Sequence, residues 1–136
     1  MNVKPPGKPL ILVVDDNDVI RSLVKTILSS QDMEIDSVSD GDEALAYIQQ
    51  RRPDVMLLDV RMPRVNGLEV LRQVRADSAL QDLRVVMLTA VGDTSVSEEV
   101  LRYRLDGYLA KPFHVQDLIH AVRQALTSPA TQASSE

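Results

Sequence analysis

The chain has no cysteine, no tryptophan and a single phenylalanine among its 136 residues. Without cysteine there is no disulfide framework, no thiolate metal site and no thiol nucleophile, which suits a reducing compartment. Aromatic residues make up only 3%, so the core must be built from Val, Leu, Ile, Met and Ala. No apolar run approaches the roughly 18 residues that a membrane-spanning helix needs, and the first residues lack the apolar stretch of a secretory signal. A cytoplasmic protein without membrane insertion is expected. The net charge of −5 does not suit a nucleic-acid surface, which shows a concentrated basic patch, so direct nucleic-acid binding is not expected. The five glycines, Gly7, Gly41, Gly67, Gly92 and Gly107, form neither G-x-G nor G-x-x-x-x-G-K, so a phosphate-cradling nucleotide loop is missing too.

What is present reads as one domain. Hydrophobic residues at 44% and charged residues at 26% are ordinary for a globular chain of this length. Two short runs, Leu10 to Val14 and Val55 to Val60, are almost wholly apolar, as strands buried on both faces of a parallel sheet are. Residues 34–38 form a more polar strand, nearer an edge, and 83–88 and 108–110 complete five. Helices are expected over about 17–29, from Asp40 through about 50, after Asn66 with Leu68, Leu71 and Val74 on its buried face, and over about 94–105 and 115–126. Asp40 with Glu43, and Asn66 with Glu69, carry the capping signal that opens a helix. On the first helix Val19, Ile20, Leu23, Val24, Ile27 and Leu28 make a broad apolar face, and on the last Val115, Leu118, Ile119, Val122 and Leu126 do the same. Residues 1–9, with four prolines and glycines, read as a flexible arm. Residues 127–136 read as a disordered tail or the stub of a linker. Strands alternating with helices imply a (βα)5 α/β fold, a five-stranded parallel sheet covered on both faces.

Right-handed crossovers bring the carboxyl ends of such strands to one edge, where open α/β sheets bind ligands. That edge collects Asp15 and Asp16 after the first strand, Asp59 after the third, Thr89 after the fourth and Lys111 after the fifth. Taken singly, each is banal: an acidic pair caps a helix, an aspartate ends a strand, a threonine sits in a strand, Lys-Pro makes a loop. Their joint placement is what a purely structural explanation accounts for poorly. Three carboxylates about 5 Å apart repel by roughly 3 kcal/mol per pair at an effective dielectric near 20. Lys111 supplies one counter-charge, and a hard divalent cation, Mg2+ for an all-oxygen donor set, is the natural second. A carboxylate beside Mg2+, a lysine and a hydroxyl can attack phosphorus and form an acyl phosphate. Thr89 would then hydrogen-bond the product, and two added negative charges at a strand end would reposition the neighbouring loop.

The acidic pair, D-V-R-M-P at Asp59, L-T-A at Leu88 to Ala90 and Y-L-A-K-P-F at Tyr108 to Phe113 occur in this order over about residues 10–126. Together they resemble a response-regulator receiver domain of the CheY-like family. That resemblance implies a flavodoxin-like strand order of 2-1-3-4-5. It implies that Asp59 is the phosphoacceptor for a sensor histidine kinase or a histidine phosphotransfer protein. It places Mg2+ on Asp16, Asp59 and the backbone carbonyl of Arg61, with Asp15 acting largely through water. Lys111 and Thr89 would assist catalysis, and Thr89 with Tyr108 would form the switch pair. Such a domain catalyses its own phosphorylation and dephosphorylation but is not a turnover enzyme. It controls a downstream protein partner or an output domain, and homodimers of the family form through the fourth helix, fifth strand and last helix.

Several positions depart from the usual pattern. Arg61 and Val91 would flank the phosphoryl group and alter water access. Arg104 and Leu105 stand where a glycine usually ends the fourth helix, and His114 stands where an aspartate often precedes the last. Two rival readings remain. A haloacid-dehalogenase-type phosphatase needs a second acid two residues after its nucleophile, and that place holds Arg61. A receiver-like module that binds partners without phosphorylation keeps the same residues and is separated only by experiment.

Overall fold

A computed structural model describes residues 8–62, 65–90 and 102–127. Five parallel strands, β1 (Leu10–Val14), β2 (Glu34–Val38), β3 (Val55–Asp59), β4 (Arg84–Ala90) and β5 (Gly107–Lys111), form one sheet in the order β2-β1-β3-β4-β5. Strands β1 and β3 are buried along their length, because parallel crossovers lay helices on both faces of the sheet. The polar β2 is an edge strand, as its composition suggested.

Alternate residues of each strand supply two separate apolar layers. On one face Leu12, Val14, Met56, Leu58, Val85 and Met87 pack with α2 (Gly41–Gln50) and α3 (Gly67–Ala76). On the other, Ile11, Val13, Val55, Leu57, Val86, Leu88 and Leu109 pack with α1 (Asp18–Ser29) and the last described helix, α4 (Val115–Thr127). Among the described residues no helix is long and apolar enough to cross a membrane.

Helix starts follow the capping residues. Asn17 accepts from the amides of Val19 and Ile20, Asp40 from that of Glu43, and Asn66 from that of Glu69. Glu43 reaches back one residue further than a simple capping box requires, accepting from the amide and hydroxyl of Ser39. Asp32 holds a left-handed backbone, φ 64°, in the turn that leads into β2.

The sequence overstated two apolar helix faces. On α1 only Val24, Ile27 and Leu28 are buried, while Val19 is 72% exposed and Leu23 also faces solvent. On the last helix Leu118, Val122 and Ala125 are buried and Val115 is exposed. One sheet face can cover about a third of a helix's circumference, so apolar residues beyond that arc remain outside. Strand β4 starts at Arg84, one residue later than expected, and runs through Thr89 and Ala90.

The fourth expected helix does not reach its end: Arg102 to Leu105 form turn and irregular chain. There the buried guanidinium of Arg75 donates to the carbonyls of Arg104, Gln81 and Leu83, while Arg104 donates to Gln81. These bonds tie the chain across the base of the sheet. The rest of that helix, Pro63, Val91, most of the N-terminal arm and the tail from residue 128 lie outside the described residues.

Burial on α1 is directly testable. Val24→Ala should lower unfolding free energy by about 2 kcal/mol, and Val19→Ala by less than about 0.5 kcal/mol, in urea denaturation.

Candidate functional site

Strand parity decides which strand-end residues meet. Extending the rows Ile11–Val13, Val55–Leu57, Val86–Leu88 and Leu109 by two residues gives Asp15, Asp59, Ala90 and Lys111. All four line one cleft of about 210 Å³ at the carboxyl edge, together with Asp16, Asn17, Val60 and Arg61. The apolar layer under α1 and the last helix thus terminates in a layer of charge.

Asp15 is fully buried and Asp59 is 6% exposed, whereas Asp16 is open to solvent. Lys111 Nζ lies 2.7 Å from Asp15 Oδ2 and 3.3 Å from Asp59 Oδ1, joining the two buried carboxylates. Asp15 Oδ1 accepts from the Asn17 amide at 2.9 Å, and Asp59 Oδ1 from the Arg61 amide at 3.4 Å. Asp15 Oδ2 is buried, with the Lys111 ammonium as its ion-pair partner and no other donor among the described residues.

Burial drives the Asp59 pKa up to about 6, the negative charge of Asp15 adds to the rise, and Lys111 and the Arg61 amide oppose it. Burial opposes the charge on Lys111, yet Asp15 and Asp59 outweigh it and raise the lysine above its ordinary value. The ammonium therefore stays protonated between its partners.

The donor set suits a hard cation. Oxygens of Asp15, Asp16 and Asp59 lie within 4.8 Å of one another. Among the described residues of the cleft there is no nitrogen or sulfur ligand apart from the cationic Lys111 and the Asn17 and Arg61 side chains, none of which binds a metal as a soft ligand does. Three carboxylates against one ammonium leave an excess of two negative charges, and buried Asp15 Oδ2 has no donor besides that ammonium among the described residues. Both observations fit a divalent ion such as Mg2+.

The loop after β3 is held close beneath Asp59. Gly67 donates to the carbonyl of Val60 at 2.9 Å, and a Cβ at Gly67 would overlap the carbonyl oxygen of Asp59. A side chain at this position would displace the backbone that carries the central carboxylate, which explains the glycine. A Cβ at Gly41 would likewise strike Val65, so α2 packs against the same loop.

Of the residues singled out from sequence, Asp15, Asp16, Asp59, Arg61 and Lys111 come together in the cleft. Thr89 does not line it: parity puts Thr89 with Val85 and Met87 on the opposite face of the sheet. Tyr108 pairs with Met87 and shares that face with Thr89. Its ring is 49% exposed and borders a second cleft, of about 470 Å³, between β5 and the last helix, with Asp117, His120 and Gln124. Sequence reasoning missed Ala90 as a cleft residue, although counting in twos from Leu88 finds it. It also missed the bond from Arg21 to the Asp15 carbonyl, a backbone acceptor that leaves no mark in the sequence. The Lys111–Pro112 peptide bond is cis.

A parallel sheet of this order, with an acidic cleft closed by a lysine at its carboxyl edge, is the flavodoxin-like architecture of CheY-type receivers. The chain belongs to the response regulator receiver domain family, which matches residues 11–123. It is 44% identical over 123 residues to response regulator MprA of a Mycobacterium species (strain KMS), covering 88% of this chain and 52% of that protein. The chain thus spans about half the length of such relatives. The chemotaxis protein CheY4 of Vibrio cholerae superposes with a TM-score of 0.81 at 32% identity, covering 88% of this chain and all of that one. The receiver domain of NtrX from Brucella abortus does so with 0.79 at 36% identity, over 87% and 99% of the two chains. The protein is a receiver domain of two-component signalling.

The raised Asp59 pKa has a measurable consequence in metal-free buffer. The native state binds a proton that the unfolded state, with its carboxylate near 3.9, has already released. This group's contribution is therefore present at pH 4 and is lost as pH rises through about 6. Asp59→Asn should stabilise the protein in EDTA by about 1 to 3 kcal/mol at pH 7.5 and by much less at pH 4.5, read from denaturant unfolding.

Proposed function

We propose that Asp59 accepts a phosphoryl group from a phosphohistidine on a sensor histidine kinase or a histidine phosphotransfer protein. The observation that carries this reading is a nearly buried carboxylate opening on the cleft, with an ammonium 3.3 Å away. An oxygen of Asp59 attacks phosphorus as the phosphorus–nitrogen bond breaks; the imidazole leaves with the bonding electrons and takes up a proton. Lys111, already held between Asp15 and Asp59, pairs with the phosphoryl oxygens as their charge develops. Asp15, Asp16, Asp59 and the backbone carbonyl of Arg61 are the groups that would hold Mg2+. When bound, Mg2+ neutralises charge on the phosphoryl oxygens. Hydrolysis of the acyl phosphate returns the domain to its resting form, so turnover of a separate substrate is not its task.

The added charge drives the switch. A hydrogen bond from Thr89 to the phosphoryl group would draw the end of β4 from its present face toward the cleft. That movement changes the space beside Tyr108, which shares the Thr89 face and is half exposed. A downstream partner or an output domain reads the change.

The phosphodonor has a natural approach. Helices α1 and α4 run side by side, Arg123 near the end of one donating to Gln31 just beyond the end of the other at 2.8 Å. Their N-terminal ends therefore flank the cleft together, and these ends carry the exposed Val19 and Val115, with Leu23 exposed one turn further along α1. An apolar rim beside a buried acceptor suits a helical partner that must shield the transferring group from water.

Amide spectra of the wild type with Mg2+ and acetyl phosphate should shift around Asp59, Thr89 and Tyr108, and Asp59→Asn should abolish the response. A wild type that does not respond would leave a partner-binding module that works unphosphorylated. In a separate measurement, Arg61→Ala should change the rate at which the acyl phosphate is lost, because that side chain lies at the cleft's mouth; equal rates would remove it from hydrolysis.

A further inference from the structure

Asp16 is exposed, and among the described residues its carboxylate makes no hydrogen bond or ion pair of its own. Its place in the cleft is therefore dictated by the backbone on either side. That backbone is leaving the sheet: the Asp15 amide still bonds to Val38 O at 3.3 Å, but one residue later the chain turns toward α1. The hydrogen bond to the Asp15 carbonyl comes from a side chain, Arg21 Nη1 on the first turn of α1, at 2.7 Å. The other arm of the same guanidinium binds Asp18. The Arg21 side chain is about four-fifths buried, so the fork is held and not loosely solvated. On the far side of Asp16, the Asn17 amide is fixed by Asp15 Oδ1 and the Asn17 side chain by two amides of α1.

We infer that Arg21 is a positioning residue for the cation site: by fixing the Asp15 carbonyl, and with it the Asp15–Asp16 peptide plane, it sets the direction in which Asp16 enters the cleft. This rests on the reading of the cleft as a divalent-cation site. The guanidinium stands one residue behind a cation ligand, where groups that orient ligands act on affinity without touching the ion.

Charge and position predict opposite signs. Arg21 is a cation beside a site for a cation, so on electrostatics alone its removal would tighten Mg2+ binding. Loss of the Asp15 carbonyl's donor lets the peptide plane rotate, spreads Asp16 over several directions and weakens binding. A residue that only braces the fold would lower thermal stability and leave the affinity of the folded protein unchanged.

The experiment is a titration of the whole chain with MgCl2, followed by amide NMR, for wild type, Arg21→Met and Arg21→Lys, with thermal unfolding in EDTA recorded for each. Arg21→Met keeps the aliphatic stem and loses the donor; its half-saturating Mg2+ concentration should rise about tenfold. Arg21→Lys, which retains a donor and the charge, should recover most of that loss. Mg2+ binding by Arg21→Met as tight as or tighter than wild type would overturn the inference. Should Arg21→Met not fold, Arg21→Gln, too short to reach the carbonyl, takes its place with the same expected result. A wild type that does not bind Mg2+ would instead refute the cation-site reading itself.

Discussion

Three carboxylates stand within 4.8 Å of one another at the end of a sheet whose central strands β1 and β3 are otherwise apolar, and one ammonium faces them. Holding like charges at this spacing is unfavourable, and two of the three groups are removed from water as well. The arrangement persists because each carboxylate is carried on backbone that has little freedom to move. Asp15 and Asp59 continue buried central strands, paired on both sides by neighbours of the same direction. The apolar layers above and below the sheet stabilise the geometry that the charges oppose. A poised electrostatic site of this kind responds strongly to a ligand that cancels its charge, because the framework has already met the cost of assembling it.

The loop after β3 shows how closely framework and chemistry are joined. Gly67 lies against the carbonyl of Asp59, and Gly41 lets α2 press on Val65 in the same loop. Two helices of the α2–α3 layer thus bear on the backbone of a carboxylate whose side chain belongs to the opposite layer. Movement of Asp59 would be felt on both faces of the sheet. Arg75 performs a similar fastening at the other edge, where one buried guanidinium gathers three carbonyl groups from the turns around β4 and β5.

Local pattern made most of the fold legible. Continuous apolar runs gave β1 with both ends in place and β3 with its start, and Asp40 and Asn66 marked their helices because capping is a property of a few adjacent residues. The acidic cleft was legible too, since parallel topology alone sends Asp15, Asp59 and Lys111 to one edge. What escaped was whatever depends on a third element. Val19 and Leu23 look as apolar as Val24, and only the arc that the sheet can cover separates them. Arg21 and Arg75 look like ordinary surface arginines, because their acceptors are backbone carbonyls whose positions exist only after folding. Thr89 and Ala90 are neighbours in sequence, and the motif around them draws the eye to the hydroxyl, yet parity gives the cleft to the alanine.

That parity limits how such a domain can change over generations. The cleft residues are the final positions of rows that run the length of the apolar layer, so inserting or deleting one residue within β4 or β5 would exchange the two faces. Lys111 would leave its acidic partners, and the hydrophobic residues behind it would be turned outward at the same moment. A shift of two residues restores the faces but moves the lysine by a full strand repeat, about 7 Å along the strand. Strand length and site chemistry are therefore coupled in this fold, and the connections between one strand and the next are where a change of length disturbs neither.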